Sequence, residues 1–150
     1  MKRFLAVVVI DIRKVVAFVA FPLASFASFA QGTDPMKIRL TLDGKSITAT
    51  LNDNATARDF VSLLPLTLPL EDHAATEKIA RPPRKLSTAG APAGADPSVG
   101  DLAYYAPWGN LAMYYKDFEY SPGLVLLGRI DSGVEVLRGG ARSVTIERVK

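Results

Sequence analysis

Hydrophobic and polar residues alternate over two short stretches that begin near residue 37. Ile38, Leu40 and Leu42 alternate with Lys37, Arg39 and Thr41, and Ile47, Ala49 and Leu51 alternate with Ser46, Thr48 and Thr50. A period of two places one set on a single face of a strand. Asp43-Gly44 between them is a pair suited to the positive φ angles of a type I′ turn, so the pattern predicts a hairpin with one buried face. From Asn52 the period changes. Ala57, Phe60, Val61 and Leu64 recur at i, i+3, i+4 and i+7, which predicts a helix over 52–64 capped by Asn54 or Thr56 and stopped by Pro65.

Leu66, Leu68 and Leu70 alternate with Thr67 and Pro69. Pro69 has no N–H to donate, so this reads as an edge-like or bulged strand, ended by solvated turn charges at Glu71-Asp72-His73. Glu77-Lys78-Ile79 is a further short strand. Residues 81–100 are rich in Pro and Gly with little apolar patterning, and read as a long surface loop. Beyond it, Leu102 and Tyr104 share one strand face. A turn follows at Ala106-Pro107-Trp108-Gly109. Leu111, Met113 and Tyr115 then face one way, and Asn110, Ala112 and Tyr114 the other. After a second loop at 117–123, Leu124–Ile130 is nearly all apolar, as a strand buried on both sides would be. Ser132-Gly133-Val134-Glu135 has capping-box spacing, and Gly139-Gly140 ends a short helix there. Residues 143–149 form a closing strand. About seven or eight short strands and two short helices make a mainly β domain. A closed barrel, which leaves no exposed edge and whose ends the helices cover, accommodates them.

Composition sharpens this picture at the N-terminus. The 150-residue chain carries a formal charge of +3. Lys2, Arg3, Arg13 and Lys14 against Asp11 place that excess in residues 1–30, leaving 14 basic and 14 acidic residues beyond. A nucleic-acid partner therefore has no electrostatic footprint in the remainder. The apolar run Val15–Phe29 is broken by Pro22 and ends in the small-residue pattern Ser28-Phe29-Ala30. Residues 1–30 thus read as a cleavable secretory signal cut before Gln31, residues 31–35 as a linker and 36–150 as one domain, periplasmic or secreted. The competing readings are a membrane anchor, for which the run falls short of the ~20 apolar residues of a spanning helix, and translation from Met36 in the cytoplasm. Contact with a membrane is expected only in transit. The absence of Cys excludes disulfides and thiolate chemistry, and a single His excludes a multi-His metal site within one chain. No cofactor is expected.

The segment GDLAYYAPWGNLAMYYKDFEYSPGLVLLGRID, residues 100–131, closely resembles one typical of small bacterial cyclophilin-like proteins. MKIRLTLDGKSITATLNDNATARDFVSLLPLTL, residues 36–68, resembles their opening hairpin and helix. The likeness spans roughly residues 36–149 and implies a closed cyclophilin-like β-barrel of about eight strands with two short helices capping its ends. Classical cyclophilins are peptidyl-prolyl isomerases that use an arginine in a Phe-His-Arg motif. This chain has no such motif, so the resemblance implies the fold and no established activity.

The densest candidate chemistry is aromatic. Tyr104, Tyr105, Trp108, Tyr114, Tyr115 and Phe118 cluster around one predicted hairpin. Packing explains most such clusters. Tyr104, Trp108, Asn110 and Tyr114 are nonetheless the residues placed to rim a cleft for a peptide or small molecule. Arg129, a charge on an apolar strand, must reach solvent or find a partner. An ion pair is the ordinary outcome; in a divergent periplasmic prolyl isomerase it is the first candidate for a catalytic donor. His73 beside Asp72 makes no catalytic triad, because adjacent residues do not ordinarily point at each other. The expected activity is accordingly ligand binding, with prolyl isomerisation as the alternative. The oligomeric state stays open.

Overall fold

The computed structural model describes residues 34–150. The expected signal over 1–30 and most of the 31–35 linker lie outside them. The alternating stretches form β1 (Lys37–Leu42) and β2 (Lys45–Leu51), paired antiparallel from Lys37↔Thr50 to Leu42↔Lys45. Asp43 and Gly44 make the turn, with φ of 47° and 76°. Only a residue tolerant of positive φ holds that turn without strain, which is why Asp-Gly sits there. α1 (Ala55–Ser62) follows, capped by Asn54, whose Oδ1 accepts from the Ala57 N–H at 2.8 Å. Asn54 also donates from Nδ2 to the Leu126 carbonyl at 3.0 Å, which ties the cap to the sheet.

The remaining strands are β3 (Leu66–Pro69), β4 (Glu71–His73), β5 (Glu77–Ala80), β6 (Gly94–Ala95), β7 (Asp101–Tyr105), β8 (Asn110–Tyr114), β9 (Ser121–Pro122), β10 (Leu124–Ile130) and β11 (Ser143–Arg148). Nine of them form one sheet in the order β3-β11-β1-β2-β10-β7-β8-β5-β4, and β6 pairs with β9 separately. The two ends of the large sheet are consecutive in the chain, separated only by Leu70. Leu66–Pro69 pairs with β11, and Glu71–His73 pairs with β5. Counted as one bent strand, β3 and β4 complete a ring of eight. The mainly β, barrel-like architecture therefore stands, and the edge-like strand is the one that joins its ends.

Three expectations need correction. Glu71-Asp72-His73 is a strand and not a turn, because β5 supplies it with a partner that its own sequence does not announce. The second helix is a single 3₁₀ segment, Val134–Arg138, so the described residues hold one α-helix and not two. Its capping box does not form: Gly133, in the left-handed region, takes the cap position and no side chain satisfies it. The 81–100 segment is not free surface loop either. Pro82, Leu86 and Pro97 are buried within it, and the β6–β9 pair fastens it to the loop before β10.

The core lies inside the ring. Ile38, Leu40, Leu102, Tyr104, Leu111 and Val144 are among its fully or almost fully buried residues. Ala57 and Phe60 of α1 reach it from the end where β2 finishes, and Leu137 of the 3₁₀ segment from the end where β10 finishes. A second, smaller cluster of Ala103, Ala112, Tyr114 and Leu124 sits on the opposite face of the same strands. Strands β7, β8 and β10 are thus covered on both sides, as the apolar run over Leu124–Ile130 predicts.

Two variants test how tightly this frame is set. A Cβ on Gly128 would lie 2.3 Å from the Thr50 carbonyl oxygen and 2.7 Å from the Leu51 Cα. Neither atom is a flexible side-chain end, so Gly128→Ala must push β10 from β2. It is expected to destabilise the fold by about 1–3 kcal/mol, the usual cost of overpacking, seen as a lowered thermal midpoint; an unchanged midpoint contradicts the close packing. The second variant concerns the anchoring of the long loop. Asp59 on α1 accepts from Arg84 at 2.6 and 2.9 Å and from the Ser87 N–H at 2.7 Å. Hydrogen bonds from Arg84 first and Ser87 next hold its carboxyl at about 2, well below the usual aspartate value, with partial desolvation opposing them. A depressed carboxylate stabilises above its unfolded pKa and loses that contribution as pH falls through the folded one. Protection of the Ser87 amide against hydrogen exchange should therefore fall between about 4 and about 2, and Asp59→Asn should lower it at neutral pH and flatten that pH step.

Candidate functional site

Strand alternation divides the aromatic residues into two sets. In each Tyr-Tyr pair one ring points into the barrel and the other away from it. Tyr104 and Tyr115 belong to the interior cluster, Tyr105 and Tyr114 to the outer one. Tyr104 is 1% exposed, and its hydroxyl accepts from the Leu86 N–H at 3.1 Å. It serves to pin the long loop and is not part of the outer surface.

The outward set borders a hollow of about 150 Å³. Ile79 and Ala112, opposite each other on β5 and β8, contribute to its lining, and small Ala112 leaves the space open. Tyr105, Trp108 and Phe118 supply aromatic walls. His73, Glu77, Asn110 and Tyr114 supply the main polar atoms. Trp108 sits on the turn between β7 and β8 and is held by two edge-to-face contacts: His73 at 5.4 Å and 87°, and Tyr105 at 5.4 Å and 75°. It is still 53% exposed, so ring surface remains for a visitor.

Asn110 is the least satisfied member. It is 2% exposed, and its Nδ2 donates to the Leu111 carbonyl at 3.0 Å. Its Oδ1 is buried and meets no donor of the protein among the described residues. Buried acceptors are normally paired, and an unpaired one costs about 1–3 kcal/mol. Glu77, directly opposite Tyr114 and flanked by His73 on the other side, is also buried. Desolvation raises its carboxyl above the usual range, with His73 opposing that shift and Asp72 adding to it. Burial likewise raises the Tyr114 hydroxyl, and the charge of Glu77 reinforces it.

The neighbours of these groups in sequence face the other way. Asp72 accepts from the Tyr115 hydroxyl at 2.5 Å and pairs with Lys78 at 3.2 Å. The Tyr115 hydrogen bond is the first cause of Asp72's lowered pKa, while burial and then that bond push Tyr115 up to about 12. Adjacent Asp72 and His73 thus part company, as do Glu77 and Lys78, because each pair spans two faces of a strand.

Arg129 takes the ordinary outcome. Its Nη1 donates to Asp101 Oδ1 at 2.7 Å and its Nη2 to the Val99 carbonyl at 2.7 Å. It lies on β10, with β7 between it and β8, and does not line the hollow. Of the other sequence candidates, Trp108, Asn110 and Tyr114 are brought together in it. His73, Glu77, Ile79 and Ala112 were not singled out as site residues. Only the register of β4, β5 and β8 brings them to Trp108, and no local pattern carries that information. Among the described residues no group of three or more His, Cys, Asp or Glu is placed to hold a metal.

Comparison with known proteins agrees with this architecture. No curated protein matches the sequence significantly. The solution structure of a hypothetical protein from Archaeoglobus fulgidus superimposes with a TM-score of 0.60 at 19% identity, covering 80% of this chain and 99% of that one. At that identity the likeness concerns the fold alone. The model of the cyclophilin-like family matches residues 40–147, nearly the whole described barrel. The chain belongs to the cyclophilin-like family.

Proposed function

We propose that this protein is an exported binding domain that takes one compact, ring-sized group of a peptide or small molecule into the hollow beside Trp108. The buried, unpaired Asn110 Oδ1 is the observation that carries this reading. It is an acceptor kept out of bulk solvent in a largely aromatic setting, where a ligand N–H or O–H restores what folding left unmade. The hollow's volume of about 150 Å³ is comparable to the engineered cavity that admits benzene. One ring or short branch fits, while the remainder of a larger ligand lies outside against Trp108 and Phe118. The prolyl-isomerase alternative needs a donor near the proline nitrogen as the amide loses conjugation. Arg129 is already engaged by Asp101 and Val99, which favours binding over isomerisation.

Trp108 emission reports on this directly. Titration with small ring compounds and ring-bearing short peptides should give a saturable shift, lost in Ala112→Leu, which fills the space between the walls. If no compound produces such a shift, the binding reading fails. In a protease-coupled prolyl-peptide assay no turnover is expected; turnover abolished by Arg129→Ala would establish the alternative instead.

Export rests on the positive start, apolar centre and small-residue end of residues 1–30. N-terminal sequencing of the protein recovered from its native host should begin at Gln31; a cytosolic product beginning at Met1 or Met36 rejects export.

A further inference from the structure

Apart from His73, the polar and aromatic groups around the hollow share one electrical character. Asn110 lines the hollow and carries a buried side-chain carbonyl oxygen with no donor among the described residues, and Glu77 has a carboxylate that no lysine or arginine pairs with among them. The neighbouring cations are occupied elsewhere: Lys78 pairs with Asp72 on the interior face, and Arg129 pairs with Asp101. Neither Lys nor Arg lines the hollow. Tyr105, Trp108, Tyr114 and Phe118 add π faces, whose quadrupoles are negative above the ring. The low-dielectric setting that makes Glu77 costly when ionised also strengthens its attraction for a visiting cation.

We infer that the hollow selects a protonated primary or secondary amine carried on a small apolar body, with Asn110 Oδ1 accepting an N–H and Glu77 supplying the opposing charge. This rests on the binding reading above and narrows its ligand class. A metal ion is a poorer fit, because among the described residues no group of three or more His, Cys, Asp or Glu is placed to hold one, and neutral tyrosine hydroxyls and an amide oxygen are weak substitutes for the missing carboxylates. A quaternary ammonium satisfies the rings but brings no N–H to Asn110. A neutral ring satisfies the volume but leaves Glu77 uncompensated. Asp101, two strands from Glu77 on the same outward row, is neutralised by Arg129, so Glu77 is the carboxylate that sets the local field. Its raised pKa agrees with this position, since a bound cation relieves the cost of ionising a desolvated carboxyl.

The test uses three probes at neutral pH, read by Trp108 emission: cyclohexylammonium, cyclohexanol and tetramethylammonium. Cyclohexylammonium should bind about tenfold more tightly than either of the others, the ratio one modest interaction produces: the charge on Glu77 against cyclohexanol, and the hydrogen bond to Asn110 against tetramethylammonium. In Glu77→Gln the preference for cyclohexylammonium over cyclohexanol should vanish while cyclohexanol binding persists, which shows that the hollow is intact. If cyclohexanol matches cyclohexylammonium in the unaltered protein, the amine assignment is wrong and the binding site still stands. Equal binding of tetramethylammonium removes the role given to Asn110. A preference that survives Glu77→Gln removes the role given to Glu77. If none of the probes binds, both this inference and the site itself fall.

Discussion

The barrel depends on one bent segment. Leu66–Pro69 satisfies one edge of the sheet, Glu71–His73 satisfies the other, and the Leu70 N–H donates to the Arg142 carbonyl at 2.9 Å in between. Without this segment, β11 and β5 would each present unpaired backbone groups, the condition that drives sheets to associate edge to edge. Pro69 fits because its missing N–H lies on a strand that pairs, within this stretch, with β11 alone. Closure also creates an enclosed interior. The rows of leucine, isoleucine and valine bury one another there, and α1 and the 3₁₀ segment bring Phe60 and Leu137 to that core.

The same closure forces each strand to have two distinct environments. On β7, β8 and β5 the inner face is core, and the outer face carries the smaller cluster and the hollow, to which Phe118 and Ser121 of the loop before β10 contribute. Residues adjacent in sequence are therefore separated into different chemistry. Asp72, Lys78 and Tyr115 neutralise one another on the inner side. His73, Glu77 and Tyr114 line the outer hollow, where no lysine or arginine contributes to the lining. That difference gives the outer group its binding character. Polar atoms that fold into mutual satisfaction add to stability, whereas Asn110 Oδ1 and the Glu77 carboxylate leave interactions for something outside the chain.

Arg129 and Asp59 show the commoner use of charge. Each is drawn into fixing backbone: Arg129 through Asp101 and the Val99 carbonyl, Asp59 through Arg84 and the Ser87 N–H. Together with Tyr104, which holds Leu86, they convert a Pro- and Gly-rich connection into an ordered segment fastened to α1 and the barrel. The loop owes its order to a few polar contacts and three buried apolar side chains, without a hydrophobic pattern of its own.

Local sequence is sufficient where the determining interactions are local. Alternation over Lys37–Leu51 with Asp-Gly between specifies the first hairpin, and Asn54, the apolar stripe through Phe60 and the stop at Pro65 specify α1. The opposite faces of Tyr104 and Tyr105, and of Asn110 and Leu111, follow from the period of two. The segments from Met36 and Gly100 carry enough family character to indicate the barrel before any coordinates. What tertiary structure alone decides is which strands become neighbours. The strand at Glu71–His73 exists because β5 lies beside it. At Val134–Arg138 the chain makes a 3₁₀ segment with Gly133 at its cap position, and the expected capping box does not form. Trp108 and Asn110 are legible as a turn with free polar and aromatic groups. Their conversion into a site needs His73, Glu77 and Ile79 from strands distant in sequence, and register across a closed sheet is a property of the whole chain that no single stretch encodes.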